Sequence, residues 1–259
     1  MLDADIVKLA KEIHGNLVPE STFHGNMEGA DPPLFIYSMP YLRGSSYTGV
    51  QAFWVEMDSN EESTQRAFVK DLARSQPVDH QTQAKKQLGI YKRLTRLAEE
   101  SPPVLSKSIL SKLIEALPSM FGNDYPQVLT HNDFSVTNIL VNEDTSEIAG
   151  IVDWSLASVM PFGLDLDILF LATGFMTIDG WHDYGCKPQL QDVFWDEFWF
   201  SSEIEGEDLR RKTQNLAEVA GQIGAILRLA FRRNDDGSPS EEVLVSQRRI
   251  GQLKAWFGE

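Results

Sequence analysis

The residues of this chain best able to do chemistry together lie between positions 128 and 154, VLTHNDFSVTNILVNEDTSEIAGIVDW. His131, Asp133 and Asn138 stand in the spacing H-x-D-x-x-x-x-N, and a second carboxylate, Asp153, follows them. Two carboxylates and an amide oxygen make a donor set for Mg²⁺, which takes hard oxygen ligands and completes its shell with water and substrate phosphates. A loop aspartate can also take the proton of a hydroxyl. A loop acid, an amide and a later acid are the parts that phosphoryl transfer uses.

Such chemistry requires three separated residues to converge, so the flanking elements matter. The apolar runs 128–130, 139–141 and 148–152 are β-branched and bounded by Asn, Asp, Ser or Thr, which predicts strands joined by tight turns. The segment between Asp133 and Asn138 is then a loop pinned by strands, with Asp153 arriving on the neighbouring one. Upstream, Ile6, Leu9, Ala10 and Ile13 recur at helical spacing, Asp3 or Asp5 can cap that helix and Gly15 can close it. Strands are predicted over 21–25 and 34–39, and helices over 61–74, 81–100, 106–120, 165–173, 190–200, 209–232 and 241–257. Ser101-Pro102-Pro103 should end one of these helices, and 234–240 reads as a polar loop. The aromatic residues Phe194, Trp195, Phe198 and Trp199 read as core. Arg232-Arg233 and Arg248-Arg249 read as solvated or capping charges.

His131 to Asn138, followed by Ile151-Val152-Asp153-Trp154, resembles the aminoglycoside phosphotransferase and choline kinase-like family. The continuation Pro161-Phe162-Gly163-Leu164-Asp165-Leu166-Asp167 is similar to that family's fungal branch of phosphotransferase-like proteins. The resemblance implies an α/β (α+β), protein kinase-like fold, with residues 1–40 as a reduced small (N-terminal) lobe and 41–259 as a mostly helical large lobe. It implies ATP and Mg²⁺ as cofactors, with Asp133 as catalytic base and Asn138 and Asp153 as metal ligands. Asp167 would brace the catalytic loop, and His131 would anchor it. The segment from Leu34 to Gly44 resembles the family's hinge. There the Pro40 carbonyl and the Leu42 amide would bond the adenine edge, and Met39 would line the base pocket.

Before Leu34 the sequence offers one helix and about two strands, with no G-x-G-x-x-G and no lysine on a β pattern. Three functional readings therefore stand side by side. The first is phosphoryl transfer from ATP to a small-molecule hydroxyl. The second is a catalytically lapsed, pseudokinase-type binding protein. The third is a kinase-fold enzyme acting on a small metabolite without nucleotide.

A net charge of −15 argues against nucleic-acid partners, whose phosphates need a basic footprint, and is compatible with a cationic acceptor. The single cysteine, Cys186, excludes an intrachain disulfide framework and fits a reducing compartment. The first residues are acidic where a targeting peptide needs base, and no apolar run is long enough to span a bilayer. Together these predict a soluble cytoplasmic protein with no membrane partner. Oligomeric state and acceptor identity have no signature in the sequence.

Overall fold

Asp3 starts the first helix: its side chain accepts the Asp5 and Ile6 N–H groups, and α1 runs over Ala4–His14 until Gly15, at φ 56°, ends it. In this computed structural model, which describes residues 2–31, 33–74, 84–100, 105–202, 204–234, 239–244 and 246–258, α1 buries Ala10 and lays the His14 ring 5.0 Å from that of Trp154. An antiparallel hairpin of β1 (Thr22–Asn26) and β2 (Phe35–Ser38) follows. Among the described residues it pairs with no other strand, and Phe23, Phe35 and Ile36 are exposed on it.

Beyond the hairpin the chain passes Gly44, at φ 124°, where a Cβ would stand 2.7 Å from the Val141 carbonyl oxygen. Only glycine permits both that dihedral and that approach, and the approach lays down β3 (Ser45–Ser46). The buried Tyr47 that follows stacks on Phe68 at 3.9 Å and donates its hydroxyl to Gln65 Oε1, tying this stretch to α2 (Ser59–Ala73). Helix α2 opens on a capping box between Asp58 and Glu61. Next come α3 (Ala84–Glu99) and α4 (Lys107–Met120), the latter capped by Ser106. The predicted start of α3 at Gln81 and its stop at Ser101-Pro102-Pro103 lie outside the described residues.

The three predicted strands are present as β4 (Gln127–Thr130), β5 (Ile139–Val141) and β6 (Ile148–Ile151). They do not form one sheet. Strand β5 sits between β3 and β6, whereas β4 pairs antiparallel with β7 (Ser158–Pro161). Residues 131–138 therefore bridge two small sheets.

The remainder is mainly helical: α5 (Asp167–Ala172), a hairpin of β8 (Gly174–Met176) and β9 (Trp181–Asp183), then α6 (Lys187–Ser201) and α7 (Glu207–Leu229). Strands β10 (Phe231–Arg233) and β11 (Pro239–Val243) pair before α8 (Gln247–Phe257) closes the chain. The helix expected from position 241 thus begins later. Val243 pairs with Phe231 across the hairpin, and Ser246 caps the helix by accepting the Arg249 N–H.

Two apolar cores hold the molecule. One gathers Phe68, Ile139, Ile151, Trp154 and Phe194, and the other Leu94, Leu113, Ile223 and Leu253. A Cβ on Gly224 would fall 1.9 Å from the Leu164 carbonyl oxygen, so α7 can rest on that backbone only with glycine there. That contact sets the height at which Arg228, one turn on, meets Asp167.

Candidate functional site

The loop 131–138 is held from both ends and from below. His131 and Asn132 donate their backbone N–H groups to the two carboxylate oxygens of Asp165, at 2.6 and 3.2 Å. The His131 ring, almost fully buried, donates from Nε2 to the Val152 carbonyl at 2.9 Å and accepts the Asp133 N–H on Nδ1 at 3.3 Å. This is the neutral tautomer with both nitrogens occupied, so the ring ties loop to strand and has no free nitrogen for proton transfer. Asn132, at φ 61°, turns its side-chain amide to the Leu156 carbonyl and the Ser158 hydroxyl, fastening the loop to the segment after Asp153.

Asp133 and Asn138 meet across the loop. Asn138 Nδ2 donates to the Asp133 carbonyl oxygen at 2.9 Å and reaches its carboxylate at 3.4 Å. That leaves Asn138 Oδ1 available as a ligand. The Val152 N–H donates to the Asn138 carbonyl oxygen at 3.0 Å. Both peptide groups of Val152 are therefore bonded to the loop, one by Asn138 and one by His131. The next residue, Asp153, adopts φ 63° and ψ 59° and leaves its carboxylate exposed, with one oxygen accepting the Ser155 hydroxyl at 2.7 Å. A left-handed aspartate costs on the order of 1 kcal/mol and persists only where its surroundings enforce it.

Two cations that the sequence reading passed over reach this loop. Arg228 on α7 is ion-paired with Asp167, hydrogen-bonding from Nη2 to Oδ1 at 2.9 Å with Nε 2.7 Å from Oδ2 but out of hydrogen-bond alignment, and its Nη1 donates to the Phe134 carbonyl. Arg233 on β10, read from sequence as a solvated or capping charge, donates to Asp133 Oδ1 and to the Asn132 carbonyl, each at 3.1 Å. No local pattern announces a pairing across 100 positions.

The role expected of Asp167 belongs to Asp165. Asp165 takes the loop amides directly, while Asp167, fully buried, acts on the loop only through Arg228. Both carboxylates lie in one seven-residue stretch, and their spacing alone favours neither. Burial pushes both carboxyls up; Asp167 reaches about 7 against the pull of Arg228, and Asp165 is restrained by Arg228 and the loop amides.

Met39 is half exposed after the end of β2, and Leu42 packs beside Gly150 of β6, where a Cβ would be 2.6 Å from Leu42 Cδ1. Adjacent His182 and Asp183 do not pair: His182 bonds Thr177, and Asp183 bonds Trp181 and Lys187. Among the described residues no group of three His, Cys, Asp or Glu side chains is arranged for a metal. An ion at this loop would therefore rest on Asp153, Asn138 and oxygens from a bound substrate, a set that suits Mg²⁺. Among the same residues no helix is long and apolar enough to cross a membrane.

A hairpin beside a largely helical body, with the loop seated on the half-buried Asp165, defines a protein kinase-like fold. The sequence profile of the APH phosphotransferase enzyme family matches residues 18–185, well over half of the chain, and the chain belongs to that family. A provisionally assigned aminoglycoside phosphotransferase of Ralstonia eutropha superposes with TM-score 0.52 at 12% identity, over 97% of this chain and 81% of that one, which shows the fold. Aminoglycoside phosphotransferase APH(3'')-Id of Streptomyces rimosus, in complex with ADP and streptomycin, is 16% identical over 85% of each chain, with TM-score 0.46. Plasmodium vivax ethanolamine kinase is 15% identical over 86% of this chain and 64% of its own, with TM-score 0.45. No curated protein matches the sequence.

Proposed function

We propose that this protein transfers a phosphoryl group from ATP to a hydroxyl of a small molecule. The observation that carries the reading is the double bonding of Val152, the residue before Asp153, to the loop that holds Asp133 and Asn138. Family membership supports the same chemistry. Asp133 accepts the hydroxyl proton while the acceptor oxygen bonds the terminal phosphorus. The bond from that phosphorus to its bridging oxygen breaks, and the nucleoside diphosphate leaves. Asn138 orients the Asp133 carboxylate through its amide, and Arg233 holds the other oxygen. Asn138 Oδ1 and Asp153 are the residues that would hold Mg²⁺, which when bound neutralises charge on the nucleotide phosphates. On this reading Met39, Pro40 and Leu42 contact the base, and residues 1–40 are a small-lobe remnant.

Positioning and electrostatics supply most of the catalysis in such transfers. Calorimetry with Mg–ATP on the wild type and on Asp153→Ala tests the reading, alongside ATP-dependent turnover of Asp133→Asn. Nucleotide binding should disappear with Asp153→Ala. Turnover should fall by about 10²–10⁴ with Asp133→Asn while Mg–ATP still binds. Absence of Mg–ATP binding to the wild-type chain would remove the proposal.

A further inference from the structure

The chain carries 23 basic against 38 acidic residues, yet one cavity reverses that balance. It measures about 660 Å³ and, among the described residues, is lined by Lys86, Arg93, Arg228, Arg232 and Arg233, against Asp3 and Asp165 as acids. It opens on the candidate loop, because Asn132 forms part of its wall and Arg233, another wall residue, is 3.1 Å from Asp133 Oδ1. Its other walls come from α3, from residues 155–158 after Asp153 and from the end of α7. Apart from Asp3, no described residue before Lys86 lines it. Its walls are thus drawn mainly from the large body around Asp133.

Several of these cations have anionic partners: Arg228 has Asp167, Arg233 has Asp133, and Arg232 has Glu242 at 3.5 Å. Lys86 differs. Its ammonium donates to the Val159 carbonyl at 2.6 Å and, among the described residues, forms no ion pair. It is half-buried, and burial draws its ammonium below the ordinary lysine value. An ammonium kept partly from water beside a neutral carbonyl is a group that an arriving oxyanion stabilises strongly. Two N–H donors remain for it after the bond to Val159.

We propose that this cavity is the acceptor pocket and that the acceptor bears an oxyanion, carboxylate or phosphate, beside its reacting hydroxyl, with Lys86 as the principal contact. This rests on the phosphoryl-transfer reading for the identity of the pocket, and the charge of its occupant is opposite in sign to what the overall acidity of the chain favours. Arg228, Arg232 and Arg233 lie outside the segment 18–185 that matches the family, and Lys86 and Arg93 lie within it.

Calorimetry without nucleotide separates the two ideas. Inorganic phosphate, glycerate and ethanolamine are each titrated into the wild type, Lys86→Met and Lys86→Arg, with thermal unfolding recorded to show that the variants fold. Saturable binding of phosphate or glycerate is expected, weakened about tenfold or more by Lys86→Met and largely restored by Lys86→Arg. Which of the two anions binds distinguishes a phosphate from a carboxylate acceptor. Binding of ethanolamine alone, binding of none of the three, or anion affinity unchanged by Lys86→Met would each overturn the proposal. So would displacement of phosphate by Mg–ATP together with loss of ATP affinity in Lys86→Met, because the cations would then serve the nucleotide. Anion binding in a protein that fails to bind Mg–ATP leaves the basic pocket standing and removes the phosphoryl-transfer reading instead.

Discussion

Acidification should loosen α1 from the candidate site, and His14 is the group through which it acts. Burial lowers the His14 imidazole to about 4. A histidine depressed on folding is protonated more readily in the unfolded chain. Its contribution is therefore complete above about pH 6.5 and is lost as pH falls towards 4. At pH 5 the difference between those two values corresponds to about 2 kcal/mol, and solvent screening brings it to about 1–2 kcal/mol. Asp167 works in the opposite sense. Its carboxyl, pushed up to about 7, binds a proton more tightly in the folded chain, so acidification through that range stabilises. The wild-type curve mixes both effects, and only its difference from a His14 variant isolates the histidine. His14→Phe keeps an aromatic ring near Trp154, 5.0 Å away in the wild type, and removes the titration. Urea unfolding followed by tryptophan fluorescence at about pH 7.5 and pH 5 should show the variant gaining about 1–2 kcal/mol relative to wild type on acidification, or several degrees in Tm. Parallel stability curves for the two proteins would refute the desolvation argument for the α1–Trp154 contact.

Two further substitutions probe the supports of the loop. Asp165→Asn presents an N–H where the carboxylate accepted one, so one of the two loop amides loses its partner. A loss of about 1–3 kcal/mol is expected, with faster hydrogen exchange at His131 and Asn132; unchanged exchange there would show that the loop is held by other means. Arg228→Met removes the partner of a fully buried carboxylate and should cost about 3–5 kcal/mol. That loss should be smaller at pH 5 than at pH 8, because Asp167 can escape the unpaired charge by taking a proton. A loss independent of pH would mean that the bond to Phe134, and not the ion pair, is what Arg228 contributes.

Much of this molecule is local, and local features are legible in a sequence. Asp3, Asp58 and Ser106 cap the helices they precede, and β-branched runs mark β4, β5 and β6, because caps and alternation act within a few residues. His131, Asp133, Asn138 and Asp153 could be picked out for the same reason: their spacing is short and flanked by strands. What the order of residues left open was decided by packing. Strand β4 leaves its sequence neighbours to pair with β7; Asp165 rather than Asp167 seats the loop; and Arg233 reaches Asp133 from the far end of the chain. The basic cavity is the clearest case. Its walls are drawn from α3, the segment after Asp153 and the end of α7, and a charge summed along the chain carries no record of which side chains the fold gathers into one small volume.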